Sequence, residues 1–135
     1  NSGHHVEAAQ RYLEAKERHL VGSENWAHAT ALAFDMLRRE ACGEVAKPEW
    51  GNDEGLKALS ARVMRAAPND QATHSMRAVV LSGRCSAWEV GPRSAVELRK
   101  AATHYDRAAA LHTAPLAKAE FAVTAGVCRS QADAM

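Results

Sequence analysis

Apolar side chains recur along the chain at steps of three and four residues, the spacing of helices that bury one face. Tyr12, Ala15 and Leu20 mark a first helix over His5–Val21, which Gly22 stops. Ser23 then caps a second helix carrying Trp26, Ala29, Ala33 and Met36/Leu37 as far as about Cys42. Residues 43–52, GEVAKPEWGN, hold Pro48, Trp50 and two glycines, which a regular helix does not tolerate, so they form the longest loop. A third helix is predicted over Asp53–Ala67 with Leu56, Leu59/Ser60 and Val63 inward, ended by Pro68. Asp70 caps a fourth from Gln71, in which Met76, Val79/Val80, Gly83 and Ala87 extend the pattern to about Trp88. Gly83 there is a mid-helix glycine costing about 1 kcal/mol against alanine. Gly91-Pro92 breaks the chain, and Ser94 to Glu97 is a capping box that opens a fifth helix reaching His112. Thr113 caps a sixth helix from Ala114, with Pro115 tolerated in its first turn.

Composition agrees with six helices and no sheet. Of 135 residues 29 are alanine and none is isoleucine, so strong helix formers dominate and β-branched residues are scarce. The length suits one domain with one core. The start Asn-Ser-Gly-His-His, without methionine, reads as trimmed, so the natural protein is expected to extend further. Seventeen basic and sixteen acidic side chains, evenly divided between the halves, create no field for phosphate backbones or anionic lipid; nucleic acid is therefore not an expected partner. No apolar run approaches the roughly 18 residues of a membrane span. Three cysteines, Cys42, Cys85 and Cys128, sit 43 residues apart without a CxxC pair, and an odd count argues against a disulfide framework and for an intracellular, cytoplasmic setting.

Tight and looser connections alternate, which predicts three antiparallel helical hairpins, about residues 5–43, 53–89 and 94–134, arranged as a short α-solenoid or closed into a bundle. A shift of 93 positions lays Ala8, Ala9, Tyr12, Ala15 and His19 on Ala101, Ala102, Tyr105, Ala108 and His112. A shift of 47 lays Pro68 on Pro115, so a period of 46 or 47 residues accounts for both. Ala101, Tyr105, Ala108 and Leu111, with a proline soon after, resemble the second helix of a tetratricopeptide-type repeat, and Ala67-Pro-Asn-Asp70 resembles that family's inter-repeat turn. The period is longer than the family's roughly 34 residues. The resemblance implies stacked helical pairs that recognise a protein or peptide segment. A non-repetitive helical bundle is the alternative.

Candidate chemistry is sparse. No glutamate is followed by a histidine three residues on, and neither His-Glu-x-x-His nor a phosphate-cradling glycine loop occurs, so no metal, cofactor or catalytic set is expected. Trp50 and Trp88 fall in or beside the inter-hairpin connections and are candidate anchors, since aromatics dominate binding hot spots. Arg77 and Arg84, seven apart on the fourth helix, are candidates for a ladder that meets a carboxylate-bearing peptide. Each has a blander account: tryptophans folding back onto the core, arginines on a solvated face. The reading that follows is a protein- or peptide-binding scaffold without catalytic activity of its own, with self-association expected if the domain is one slice of a longer array. The competing reading is a small-molecule or enzymatic pocket between helices, with His74 and His104 as its polar groups.

Overall fold

The computed structural model describes residues 2–38, 50–85 and 90–135, and side chains from residue 7 onward apart from residue 9. These residues form six helices: α1 (Ser2–Arg18), α2 (Glu24–Leu37), α3 (Asp53–Ala66), α4 (Gln71–Ser82), α5 (Ala95–Leu111) and α6 (Pro115–Asp133). No strand occurs among them. No helix among the described residues is long and apolar enough to cross a membrane.

The helix starts follow from side chains that satisfy orphan amides. Ser23 accepts from the Trp26 N–H at 3.1 Å, Asp70 from the Ala72 N–H at 3.1 Å, and Asn52 from the Gly55 N–H at 2.8 Å. The box at α5 is complete: Glu97 donates its N–H to Ser94 Oγ at 3.1 Å, and the Ser94 N–H returns to the Glu97 carboxylate at 3.0 Å. Several boundaries differ from expectation. α1 spans Ser2–Arg18 and not His5–Val21, so Leu20 lies beyond it, 82 % exposed, and not on its packed stripe. α4 stops at Ser82 because Gly83 takes a left-handed conformation, φ 77°, and its N–H closes on the Val79 and Val80 carbonyls. The pattern that runs on through Ala87 is therefore not helical at Arg84 and Cys85, and Trp88 lies outside the described residues. α6 has no side-chain cap; with Pro115 at its first turn the cap position falls on Ala114, whose N–H goes to His112 Nδ1 at 3.0 Å, not to Thr113. Finally, α2 ends at Leu37 in the described residues, and the stretch to Cys42 lies outside them.

The core is built from a few large side chains, Phe34, Leu56, Val63, Met76 and Val80, all fully buried, set among alanines. Ala27, Ala33, Ala78, Ala101, Ala102, Ala108 and Ala125 are wholly inaccessible, so the helix axes approach closely wherever they lie. α5 packs extensively on both α4 and α6, α1 on α2, and α2 also touches α3 and α4. α4 meets α5 over a larger surface than it meets α3. Tyr105, at the centre of this sandwich, is buried, with its hydroxyl 3.2 Å from Ser82 Oγ and its ring 6.2 Å from Phe121. Tyr12, its counterpart in the shifted alignment, is only half-buried, because α1 has its extensive contact with α2 alone.

An ion pair between a buried guanidinium and a partly exposed carboxylate fastens the corner where α3 begins and α4 ends. The Arg93 side chain is 5 % exposed and donates to both Asp53 carboxylate oxygens, at 2.8 and 3.3 Å, to the Val80 carbonyl through two nitrogens, and to the Gly91 carbonyl. Asp53 also accepts the Gly91 N–H at 3.2 Å. The hydrogen bond from Arg93 holds the Asp53 carboxyl below its ordinary range. Arg93 thus completes the C-terminal end of α4, where carbonyls lack helical partners.

Candidate functional site

Three elements distant in sequence enclose an open cleft of about 300 Å³. α2 contributes Ala31, Phe34, Asp35 and Arg38, and α4 contributes Ala72, Ser75, Met76 and Val79. Leu32 and Gln71 line it as well; the other residues of each set, with Arg38 as the cap of α2, follow the i, i+3, i+4, i+7 spacing of one helical face. His112, Glu120 and Phe121 close the third side, from the α5–α6 corner.

The floor is apolar and the rim polar. Phe34, Met76 and Val79 are buried core residues whose edges reach the cleft, and Phe121 is half-buried. On one wall Arg38 holds Asp35 through Nε at 3.1 Å and Nη2 at 3.0 Å, three residues apart on the end of α2. On the other stands the exposed Glu120. His112 accepts from Ala114 through Nδ1, which leaves its Nε2 to carry the proton in the neutral ring, and the ring lies 6.0 Å from Phe121. The cleft thus offers apolar depth with donors and acceptors at its edge, the general character of a ligand site.

The residues singled out from the sequence lie elsewhere. Trp50 is half-buried and packs against the core, its backbone passing so near Gly55 that a Cβ there would meet the Trp50 carbonyl oxygen at 2.8 Å. Trp88 falls outside the described residues. Arg77 reaches across to α3, donating to the Lys57 carbonyl at 3.0 Å and Ser60 Oγ at 2.9 Å, which ties α4 to α3. Arg84 is exposed, but α4 has ended before it, so the two arginines form no helical ladder.

His74 and His104 do meet, across the α4–α5 interface. Their Nδ1 atoms are 3.0 Å apart, and His74 Nε2 is 2.6 Å from the Pro68 carbonyl. A carbonyl only accepts, so His74 carries its proton on Nε2; its bare Nδ1 then accepts from His104 Nδ1 in the neutral pair. Burial, together with the neighbouring His74, Arg77 and Lys100, pulls His104 down to about 4, and burial lowers His74 as well. Burial thus favours the neutral form of both rings, and His74 commits both nitrogens, one to His104 and one to the Pro68 carbonyl.

The two described cysteines, Cys85 and Cys128, are buried free thiols. Burial pushes Cys85 up to about 11, which suppresses its thiolate. Among the described residues no three of His, Cys, Asp or Glu are grouped to hold a metal. No protein-family model, curated protein or solved structure matches the chain.

Proposed function

We propose that this protein is a recognition module, a scaffold of three helical hairpins akin in style to tetratricopeptide-like repeats, which binds a protein or peptide segment in the cleft between α2, α4 and the α5–α6 corner. The observation that carries the reading is the cleft itself, with a floor of Phe34, Met76, Val79 and Phe121 and a rim of Asp35, Arg38, Ser75 and Glu120. Such a surface takes one or two apolar side chains of a helix or turn and orients them by hydrogen bonds at the edge. The domain acts by shape and has no catalytic step of its own. Buried free thiols at Cys85 and Cys128 support an intracellular setting. In the competing small-molecule reading, His74 and His104 would have to exchange their mutual hydrogen bond for contacts to a ligand.

A display selection of random 12-residue peptides on the wild-type protein, repeated on Ser75→Trp, tests this. Ser75 lies at the cleft edge and is partly exposed, so an indole there fills the site without entering the core. Selected peptides are expected to lose at least about tenfold in affinity for the variant, about 1.4 kcal/mol, at unchanged melting temperature. Undiminished binding to Ser75→Trp refutes the cleft as the site.

A further inference from the structure

The pair of helices α5 and α6 is tied to the rest of the molecule by polar contacts at two levels of α5, and the two differ in chemistry. Among the described residues α6 has extensive contact with α5 alone, and of the earlier helices α5 has it only with α4. At the start of α5 the ties are ionic. Arg93 binds Asp53 and the Val80 carbonyl, and Lys57 of α3 lies 2.8 Å from the Glu97 carboxylate. Arg93 and Lys57 hold these carboxyls below their ordinary values of 3.8 and 4.5, so both pairs stay charged at pH 5. About 15 Å further along α5 the tie is the histidine pair, in which His104 Nδ1 donates to His74 Nδ1 at 3.0 Å and His74 Nε2 to the Pro68 carbonyl at 2.6 Å. Arg107 adds a long contact, 3.5 Å, to Asn69.

Protons act on the histidine tie in a fixed order. The first enters at the bare His104 Nε2, and the bond between the rings survives because His104 Nδ1 still donates. A second has only His74 Nδ1 to enter. It turns that acceptor into a donor and sets two cations N–H to N–H at 3.0 Å. Arg77 on α4 and Lys100 and Arg107 on α5 oppose both protons. Asp70, at the N-cap of α4, favours them, but His28 of α2 already engages its carboxylate at 2.6 Å. We infer that α5 and α6 form an acid-released arm: two protons on His74 and His104 unlatch α5 from the start of α4, and the arm turns about the Arg93–Asp53 corner. Freed rings bind protons below their ordinary value of 6.5, whereas burial keeps the docked pair from doing so, so release grows as pH falls. Each refused proton raises the released fraction by at most about tenfold per pH unit, and two by at most about a hundredfold. The arm carries His112, Glu120 and Phe121, the third side of the cleft, so release opens that site. This consequence rests on the peptide-binding reading, whereas the latch itself does not.

Pulsed dipolar spectroscopy without any peptide tests the latch separately from the cleft. Spin labels on ketone-bearing residues at the exposed Asn25 of α2 and Lys118 of α6 leave the cysteines untouched. The wild type is expected to show one distance at pH 7.0 and a second, longer one at pH 5.0, at unchanged helix content by circular dichroism. Between pH 6.0 and 5.0 the ratio of long to short is expected to rise more than about tenfold, and in His104→Gln no more than about tenfold. His74→Gln with His104→Gln keeps a donor for the Pro68 carbonyl and removes both titrating rings; its ratio is expected not to change with pH. A single unchanged distance in the wild type down to pH 5.0, a longer distance that grows in step with loss of helix, or growth that persists in the double variant each overturns the proposal.

Discussion

Replacing His104 with glutamine isolates the histidine pair at the α4–α5 interface. Glutamine keeps an N–H donor for His74 Nδ1 and removes the ring that titrates. His104 is held at about 4 against an ordinary 6.5, so at pH above 6.5 neither the folded nor the unfolded chain binds a proton there. As pH falls below 6.5 the unfolded chain takes up a proton that the folded chain refuses, and stability drops until about pH 4, where the folded ring also protonates. A gap of that size corresponds to at most about 3 kcal/mol at about 1.4 kcal/mol per pH unit. Partial solvent access to the ring reduces this to about 1–2 kcal/mol. The depressed carboxyls touch only the acid end of the window, Glu97 losing its contribution from about its unfolded value of 4.5 downward and Asp53 from about 3.8, and they do so equally in both proteins. Urea denaturation of wild type and His104→Gln at pH 7.0, 6.0, 5.0 and 4.5, at constant ionic strength, is the assay. The wild type is expected to lose stability progressively over this range, and the variant to lose about 1 kcal/mol less. Equal slopes for the two proteins refute the buried neutral pair.

Other perturbations follow from the same contacts. Arg93→Met removes the main donor to the partly exposed Asp53 and two of the bonds to the Val80 carbonyl, and is expected to cost about 1–2 kcal/mol by equilibrium denaturation; a cost under about 0.5 kcal/mol, the size of an ordinary surface change, contradicts the staple. Cys85 and Cys128, buried as free thiols, are expected to resist alkylation in the native state and to react fully in denaturant, read residue by residue by mass spectrometry. Rapid native labelling of either site would show that its covering helices open readily.

Much of the fold was legible in local chemistry. Ser23, Asp70 and the Ser94–Glu97 box each mark a helix start because the signal is a side chain satisfying an amide two or three residues away. Gly83 misled because the apolar spacing continues past it; only the backbone angle shows that it ends a helix and does not merely weaken one. Thr113 lost its cap because Pro115 set the helix start one residue later and the His112 ring was nearer the free amide. The cleft was not legible at all, since the faces of α2 and α4 were each visible as helical periodicity but their meeting with Phe121 and His112 is tertiary. His74 and His104 were recognisable as the polar residues to watch, yet 30 positions separate them and nothing local says they bond to each other. The tryptophans and arginines drew attention by residue type, and packing claimed Trp50 and Arg77 for the frame.

Amide chemical-shift mapping of the isotope-labelled protein, titrated with a peptide selected on the wild type, tests the central reading most directly. Perturbations are expected to cluster at Phe34, Arg38, Ser75, Val79 and Phe121, the walls and floor of one cleft. Shifts confined to the outer face of α6 or to the surroundings of Trp50, with the cleft amides unmoved, would contradict it.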